Sequence, residues 1–400
     1  MITFQEAYEK VLAHSQDYGT ETVLLKEATG RVLAESVLAD RDFPPFNRST
    51  KDGIVINYND IASGITEFRI THVIAAGTQQ SHLKDIGGCM EIMTGAVIPE
   101  GGDTVIMYEE VVIQNGMAKI SQVPKRGQNI HIKGDDEKKG AKVLEQGCLI
   151  SAAEIGVLAA VGKATVLVKC LPKIGVIATG NELVAVADTP LPHQIRKSNT
   201  HSLHAALADL HIQPEQFHLE DDKAAIETGL LKAMEQNNVL LLSGGVSKGK
   251  FDFIPEVMDK LGVQKVFHRV LQRPGKPFWF GKHKLSDTLI FSFPGNPVST
   301  FANYHIYFKP WFNKSLGLPV IKIEVILAED IEIKGTLTRF LRVKVHVNQG
   351  RVTAVFVTGN GSGDLTSLAK SDGFVLLSPK ETPYEKGEWV PFIPTRNIMV

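Results

Sequence analysis

The feature that most constrains the fold is the alternation of strand-like and helix-like segments that follows Pro172. Three apolar segments, KIGVIATG, EQFHL and VLLLS, are separated by NTHSLHAALADL and KAAIETGLLKAMEQ, in which apolar residues recur at helical spacing. Strands that alternate with helices form a mostly parallel sheet covered on both faces, and the run VLLL is typical of a buried strand. We therefore predict a three-layer α/β domain over residues 171–318, with Asn199 as the N-cap of its first helix.

The rest of the chain is richer in strands and turns. Between residues 41 and 136, segments such as FRITHVI and DTVIMYEEVVI alternate with glycine and proline turns, which predicts a small β-rich domain. After residue 318, the segments IKIEVILAEDIEI, RFLRVKVHV and RVTAVFVTG predict a C-terminal β domain over residues 319–400. The predicted fold class is thus multidomain, α/β plus β.

Composition narrows the class of function. The 400 residues include 43 Lys and Arg against 44 Asp and Glu, so no overall charge indicates binding to nucleic acid or to a membrane. The cysteines Cys89, Cys148 and Cys170 are scattered, lack zinc spacing and indicate no disulfide framework. The amino terminus resembles neither a signal peptide nor a membrane span. We expect a soluble cytoplasmic protein.

Glycine turns follow three of the predicted strands of the α/β domain, in ATGNEL, SGGVSKGKFD and SFPGNPVSTF. Ligands of parallel sheets bind at the carboxyl ends of the strands, where exposed backbone N–H groups suit an anion. The spacing is not that of a Walker loop, and each turn taken alone is equally compatible with a structural role. Together they predict one wide cleft, with Gly180, Gly244 and Gly295 along one edge of the sheet.

A basic segment, HRVLQRPGKPFWFGK, precedes the last of these turns. Its cations Arg269, Arg273 and Lys276 flank a Pro-Gly turn beside Phe278 and Trp279. Fixed cations next to flat apolar side chains suit a phosphorylated aromatic ring. We therefore predict that this segment contributes to the same cleft.

Carboxylates recur near the turns, at Asp52, Asp135, Asp136, Glu182, Asp221, Asp222 and Asp252. Carboxylates beside phosphate-binding loops commonly hold a hard divalent cation, most often Mg²⁺ with retained waters. Surface turns are also rich in aspartate without any such role. Both interpretations of the acids remain open from the residues alone.

Seven motifs resemble those of the molybdenum insertases of molybdopterin cofactor synthesis, called MoeA in bacteria and the gephyrin E domain in animals. They occur in order along nearly the whole chain: PPFNRSTKDG, MTGAVIPEGGDTVI, RGQNIHIKGDD, ATGNEL, SGGVSKGKFD, RPGKPFWFGK and FPGNPVS. The resemblance implies an elongated dimer with four domains, in which residues 1–40 and 137–170 form an arm used for dimerisation. It also implies a site between the α/β domain of one subunit and the small β domain of the other.

The resemblance further implies that adenylylated molybdopterin loses AMP as molybdate is inserted at its dithiolene. The catalytic residues implied are Asp52, Asp136, Glu182, Asp221, Asp252, Arg269 and Arg273, of which Glu182, Asp221 and Asp252 would hold Mg²⁺. The residues implied in cofactor binding are Thr179, Gly180, Ser198, Asn199, Ser243, Gly244, Gly245, Ser247, Gly249, Lys276, Pro294, Gly295, Pro297 and Ser362. An upstream molybdopterin adenylyltransferase and downstream molybdoenzymes would be its partners.

Five positions differ from the usual family pattern: Lys51, His131, Asn181, Lys197 and Lys250. On balance the predicted site has fewer negative charges than that pattern, although His131 stands where an arginine is usual. A non-catalytic molybdopterin-binding or scaffold paralogue on the same fold is therefore an alternative. A third hypothesis is an unrelated phosphotransferase or nucleotide-binding enzyme, but the sequence lacks a Walker or dinucleotide fingerprint.

Overall fold

Helices and strands are described in the computed structural model for residues 1–246 and 253–397. Two units are distinguished: the first comprises Met1–Glu21, Gly30–Val32 and Val168–Val400, and the second comprises Thr22–Thr29 and Leu33–Leu167. Within the described ranges, no helix has both the length and the apolar character needed to span a bilayer.

The strands are numbered along the chain. Those before Pro172 are β1 (Thr20–Leu24), β2 (Val37–Leu38), β3 (Arg48–Ser49), β4 (Gly53–Ile56), β5 (Glu67–Ile74), β6 (Gly88–Ile92), β7 (Thr104–Met107), β8 (Val111–Gln114), β9 (Met117–Ile120), β10 (Ile130–His131), β11 (Lys142–Leu144) and β12 (Thr165–Lys169). Those after it are β13 (Ile174–Thr179), β14 (Leu183–Val184), β15 (Ile195–Arg196), β16 (Glu215–Leu219), β17 (Val239–Ser243), β18 (Val263–His268), β19 (Gln272–Arg273), β20 (Trp279–His283), β21 (Leu289–Phe293), β22 (Ile323–Leu327), β23 (Thr338–Asn348), β24 (Arg351–Phe356), β25 (Gly373–Leu377) and β26 (Trp389–Pro394).

The helices are numbered in the same way. They are α1 (Phe4–Ala13), α2 (Tyr58–Ala62), α3 (Ala152–Ala160), α4 (Ser198–Ala208), α5 (Lys223–Gln236), α6 (Ile254–Lys260), α7 (Pro297–Asn303), α8 (Lys309–Ser315) and α9 (Leu365–Ala369). Short 3₁₀ helices occur at Leu25–Glu27 and Tyr108–Glu110, and a π-helical turn, Tyr304–Phe308, joins α7 to α8.

The first unit contains a six-stranded sheet in the order β16-β13-β17-β21-β20-β18. Strands β16, β13, β17 and β21 are parallel to one another, whereas β20 is antiparallel to both β21 and β18. The mostly parallel sheet and its alternation with helices confirm the α/β fold class predicted from the sequence.

Strand β17 shows why both faces of this sheet are covered. Val239 and Leu241 belong to a core cluster that includes residues of α4, while Leu240 and Leu242 belong to a second cluster that includes residues of α5 and α6. Successive side chains of a strand point to opposite faces, so an uninterrupted apolar run is buried on both sides. The run VLLL therefore requires helices on each face, as the three-layer prediction supposed.

One helix start differs from its prediction. The N-cap of α4 is Lys197, which makes no side-chain capping hydrogen bond, and Asn199 lies inside the first turn of the helix. The prediction that Asn199 caps α4 is wrong because its amide makes hydrogen bonds outside the helix, described below. By contrast, α5 begins after Asp222, whose carboxylate accepts a hydrogen bond from the Ala225 N–H, and Pro255 lies in the first turn of α6 as expected.

A second six-stranded sheet of the first unit has the order β19-β23-β24-β22-β26-β25, and an additional pairing of β23 with β25 closes five of these strands into a ring. The short strand β19 is parallel to β23, with Arg273 opposite Arg339. This pairing joins the segment that precedes β20 to the C-terminal ring. The second unit contains a separate sheet, β7-β4-β6-β5-β9-β8, which accounts for the β-rich prediction in that part of the chain.

Phe278 and Trp279 are buried, with 0% and 2% of their surfaces exposed. The Phe278 ring lies 4.7 Å from the Tyr307 ring and 5.5 Å from the Phe293 ring, measured between centroids. Trp279 faces the other side of the sheet, in the cluster that contains residues of α5 and α6. The expectation that these two aromatic side chains present a flat surface to a ligand is therefore wrong, because both are packed in the core.

We expect Phe278→Ala to destabilise the first unit by about 3–5 kcal/mol, since truncating a buried aromatic ring leaves a cavity. Urea-induced unfolding would measure the change, with Trp389→Ala as the control because Trp389 is 57% exposed. The control should stay within about 0.5 kcal/mol of the unmodified protein. Unchanged stability of Phe278→Ala would contradict the core assignment.

Candidate functional site

The carboxyl ends of three adjacent parallel strands meet at one edge of the α/β sheet. Ala178 of β13 is opposite Ser243 of β17, and Ser243 is opposite Phe293 of β21, so the strands end at nearly the same level. The turns at Gly180, Gly244 and Gly295 follow directly, and all three line one cleft of about 1130 Å³. The prediction that these turns share one edge is confirmed.

Most of the predicted binding residues within the described ranges line this cleft. They are Thr179, Gly180, Glu182, Ser198, Asn199, Asp221, Ser243, Gly244, Gly245, Arg273, Lys276, Pro294, Gly295, Pro297 and Ser362. Three further predicted residues, Ser247, Gly249 and Asp252, lie outside the described residues.

Arg269 does not line the cleft. Its backbone has a φ of +72°, in the left-handed region, and its N–H donates to the Phe278 carbonyl as the chain turns between β18 and β19. The turn separates Arg269 from Arg273 and Lys276, which do line the cleft. The grouping of three cations predicted from this segment is thus reduced to two.

The floor of the cleft is built by close approach of two backbone turns. Gly244 has a φ of +108°, and a Cβ added there would lie 2.6 Å from the Thr179 hydroxyl oxygen. Glycine is required at position 244 both because φ is positive and because the backbone lies so close to Thr179. The Thr179 hydroxyl is buried and has no hydrogen-bond partner among the described residues. Buried hydroxyls without a partner are rare in native structures, and this one lies against the Gly244 turn.

The Asn199 side chain connects two of the strand ends. Its Nδ2 donates to the Ser243 hydroxyl at 2.8 Å and to the Gly295 carbonyl at 2.7 Å. The neighbouring Thr300 hydroxyl donates to the Pro294 carbonyl at 2.6 Å. Asn199 thus ties the turn after β17 to the turn after β21 from its position in the first turn of α4.

Among the described residues, four cationic side chains line the cleft: Arg196, Lys197, Arg273 and Lys276. Two carboxylates line it, those of Glu182 and Asp221. The cleft is therefore locally positive although the chain is nearly neutral, which suits an anionic ligand. The first turn of α4 also faces the cleft and adds the positive end of a helix.

Sequence reasoning did not place Arg196 among the binding residues, nor Ser299 and Leu337, which also line the cleft. The basic pair Arg196 and Lys197 was recognisable in the sequence as a candidate for anion binding, because it directly precedes the start of a predicted helix. No such pattern indicated Leu337, which comes from the C-terminal part of the chain.

The two carboxylates of the cleft are held differently. Asp221 and Asn181 exchange hydrogen bonds: the Asp221 N–H donates to Asn181 Oδ1 at 3.0 Å, and the Asn181 N–H donates to Asp221 Oδ2 at 3.4 Å. The Glu182 carboxylate folds back over Gly180, where an added Cβ would meet Glu182 Oε2 at 2.4 Å. The hydrogen bonds hold Asp221 near the end of β13, and the absence of a side chain at Gly180 leaves the space that the Glu182 carboxylate occupies.

Asp52 and Asp136 belong to the second unit. Asp52 accepts hydrogen bonds from the N–H and the hydroxyl of Thr94, at 2.7 and 3.0 Å, and these bonds lower the pKa of its carboxyl. Asp136 pairs with His131 Nε2 at 3.0 Å, and Arg48 lies 3.3 Å from His131 Nδ1. A guanidinium can only donate hydrogen bonds, so His131 Nδ1 accepts from Arg48. His131 Nε2 therefore carries the proton that it donates to Asp136.

Comparison with known proteins agrees with this geometry. Residues 2–162 match the family model for the MoeA N-terminal region (domain I and II), residues 175–314 match that of a probable molybdopterin binding domain, and residues 324–395 match that of the MoeA C-terminal region (domain IV). A molybdopterin molybdenumtransferase of Synechocystis sp. is 39% identical over 98% of this chain and 99% of its own length. The chain belongs to the MoeA family.

Other members support the assignment over the full length. A molybdopterin molybdenumtransferase of Bacillus subtilis is 32% identical over 97% of this chain and 93% of its own length. The crystal structure of the molybdopterin biosynthesis MoeA protein from Pyrococcus horikoshii matches with a TM-score of 0.80 and 28% identity, over 98% of this chain and 99% of that one. Every residue at the strand-end edge of the cleft lies in the segment that matches the molybdopterin binding domain, whereas Ser362 and Leu337 lie in the C-terminal match.

The donor set is compatible with Mg²⁺ in part. In the described portion of the chain, no group of three or more His, Cys, Asp or Glu side chains is placed to hold a metal ion by itself. Mg²⁺ is commonly held by one or two carboxylates together with substrate phosphates and waters. Glu182 and Asp221 supply two carboxylates in the cleft, so they fit an ion shared with a phosphorylated ligand.

We expect Asn199→Ala to loosen the turns after β17 and β21, because the Ser243 hydroxyl and the Gly295 carbonyl would both lose a donor. The loss should destabilise the local structure by about 1–3 kcal/mol. Hydrogen exchange of peptides containing Gly244 and Gly295 would measure it, with the exposed His201 of the same helix changed to Ala as the control. Equal exchange in both variants would show that the amide does not hold the turns.

Proposed function

We propose that this member of the MoeA family is a molybdenum insertase that binds adenylylated molybdopterin, releases AMP and inserts molybdate into the pterin dithiolene. The observation that carries the proposal is a positive cleft at three strand ends, within the segment that matches a probable molybdopterin binding domain. The names of the full-length relatives, molybdopterin molybdenumtransferases, support the transfer of molybdenum to molybdopterin.

The pyrophosphate bridge of the substrate would lie against the glycine turns and the first turn of α4. Arg273 and Lys276 enter the cleft from the segment after β18, and Lys197 lies at the start of α4. Charge-assisted hydrogen bonds from these cations would hold the phosphate oxygens and the molybdate oxygens.

Release of AMP requires water to add across the P–O–P bridge, which leaves one phosphate on AMP and one on the pterin. Glu182 and Asp221, with Asp252 from outside the described residues, would hold Mg²⁺. The ion, when bound, neutralises charge that develops on the phosphate oxygens. The two thiols of the dithiolene then each give up a proton as their sulfurs bind molybdenum, and one molybdate oxygen takes both protons and leaves as water.

We further propose that the protein acts as a homodimer in the cytoplasm. Each chain would have four domains: an arm formed by residues 1–40 and 137–170, a β-rich domain over 41–136, the α/β domain over 171–318 and the C-terminal β domain over 319–400. In this proposal Asp52 and Asp136 are contributed by a second copy of the chain. An upstream adenylyltransferase would supply the substrate, and downstream molybdoenzymes would take the product.

Asp221→Asn keeps the shape of the side chain and removes its charge. We expect AMP release from adenylylated molybdopterin to fall by about a hundredfold, because charge stabilisation near the phosphate is lost. Titration with Mg²⁺ should show weaker metal dependence, while pterin binding is retained. The matched control is Glu220→Gln, an exposed acid next in sequence that does not line the cleft.

A fully active Asp221→Asn variant with an unchanged Mg²⁺ response would contradict the metal assignment. Binding of the pterin without any AMP release by the unmodified protein would instead support a non-catalytic binding or scaffold protein. The two outcomes are separated by measuring binding and AMP release on the same samples.

The shared site can be tested by mixing two inactive variants, Asp221→Asn and Asp136→Asn. If each site uses Asp221 from one copy and Asp136 from the other, re-assorted subunits should recover about a quarter of the activity, since half of the dimers are mixed and each has one intact site. AMP release after subunit exchange is the measurement. No recovery, with exchange demonstrated by mass spectrometry, would place both acids in sites built by one chain.

A further inference from the structure

A loop of the C-terminal segment that runs into the first turn of α9, residues 358–367 and here called the 358–367 loop, forms part of the wall of the cleft. Ser362, Gly363 and Leu365 line the cleft, although they are more than 60 residues beyond the last glycine turn of the α/β sheet. The Ser362 carbonyl accepts a hydrogen bond from the Val298 N–H at 3.0 Å, at the start of α7. The position of this loop therefore affects the shape of the cleft directly.

Arg342 of β23 lies at the centre of the 358–367 loop. Its Nη1 donates to the Gly361 carbonyl at 3.4 Å and makes a second, shorter hydrogen bond to the Ser367 hydroxyl. The Ser367 hydroxyl in turn donates to the Asp364 carbonyl at 2.7 Å. One guanidinium thus joins the two halves of the loop, on either side of the residues that line the cleft.

The loop backbone is also shaped to admit this side chain. A Cβ added to Gly359 would lie 2.4 Å from Arg342 Nη2 and 2.7 Å from its Cζ, so the guanidinium lies directly against the Gly359 backbone. Only glycine allows this approach without displacing the side chain. Gly359 and Arg342 therefore act as a matched pair.

Asp364 completes the arrangement. Its carboxylate accepts hydrogen bonds from the Asn360 N–H at 3.0 Å, the Thr366 hydroxyl at 2.8 Å and the Ser367 N–H at 3.2 Å. These bonds, led by that from Asn360 and joined by a smaller contribution from the charge of Arg342, hold the pKa of Asp364 at about 2. The acid remains ionised and faces Arg342 throughout the neutral pH range.

We propose that Arg342 is a positioning residue that sets the affinity of the cleft for its phosphorylated substrate by holding the 358–367 loop in place. Arg342 itself does not line the cleft, so it acts through Ser362 and Gly363. The proposal rests on the proposed insertase function, because the affinity concerned is that for adenylylated molybdopterin. Loss of Arg342 should weaken substrate binding and leave the chemical step nearly unchanged.

The test is a comparison of Arg342→Gln and Arg342→Lys with the unmodified protein in AMP release from adenylylated molybdopterin. We expect Arg342→Gln to raise KM about tenfold with kcat within about twofold, the size expected for loss of a charged hydrogen bond. Arg342→Lys keeps the charge without the planar fork and should give a smaller rise. Lys344→Gln, an exposed position on the same strand, is the control and should change neither constant.

Hydrogen exchange gives a readout that does not depend on the substrate. Peptides covering residues 358–367 should exchange faster in Arg342→Gln, while peptides from β24 and β26 keep their protection. Faster exchange across the whole C-terminal ring would show a general loss of stability and overturn the positioning role. So would unchanged exchange in the loop.

A double-variant cycle separates the pair from other effects. Gly359→Ala should displace the guanidinium and raise KM to a similar extent, and the combination with Arg342→Gln should add no further rise, because the displaced group is already absent. Additive effects, or an unchanged KM in Arg342→Gln while the unmodified protein releases AMP, would overturn the inference alone. A failure of the unmodified protein to release AMP would overturn the proposed function and the affinity claim with it.

Discussion

The parallel pairing of β13, β17 and β21 is the constraint on which the site depends. Hydrogen bonding in register runs from Ile174 opposite Val239 to Ala178 opposite Ser243, and β17 is paired in the same way with β21. A slip of one residue would exchange the two faces of the sheet, although both faces are apolar along β17. The helices on each face hold the register by packing, and the register places three glycine turns at one edge.

The second dependence is on a buried polar network that positions the basic segment. Gln272 is fully buried, and its Nε2 donates to the Pro274 carbonyl at 2.9 Å and to Asn303 Oδ1 at 3.0 Å, while the Tyr307 hydroxyl donates to its Oε1. Burial raises the pKa of Tyr307 well above its ordinary value, so the phenol remains a donor. Satisfied buried networks define one conformation, and this one fixes the residue before Arg273.

The elements of the α/β sheet were predictable because they depend on local patterns. The segments EQFHL and VLLLS coincide with β16 and β17. The apolar pattern of each segment reflects which of its side chains are buried, so it is visible in the sequence. The roles of Asn199 and Phe278 were not predictable from their own neighbourhoods. An asparagine near the start of a helix can cap the helix or can donate hydrogen bonds to other segments. Which of these occurs depends on the acceptors that the fold brings near, and for Asn199 they are the Ser243 hydroxyl and the Gly295 carbonyl.

The contribution of the C-terminal segment to the site was only partly predictable, for the same reason. The glycines around Ser362 indicate a turn. Their position beside α7 follows from the pairing of β19 with β23, which no sequence pattern predicts. Nor could the sequence show that Gly359 is needed for contact with Arg342, 17 positions earlier. Contacts between distant segments are decided by topology rather than by propensity.

The same pairing has an electrostatic consequence for the ligand. Arg273 of β19 is opposite Arg339 of β23, and the pKa of Arg339 is lowered first by burial and then by the charge of Arg273. Like charges on paired strands repel each other unless an anion lies near them. A phosphate or molybdate beside Arg273 would relieve that repulsion, so the way the C-terminal ring is joined to the α/β sheet would favour an anion in the cleft.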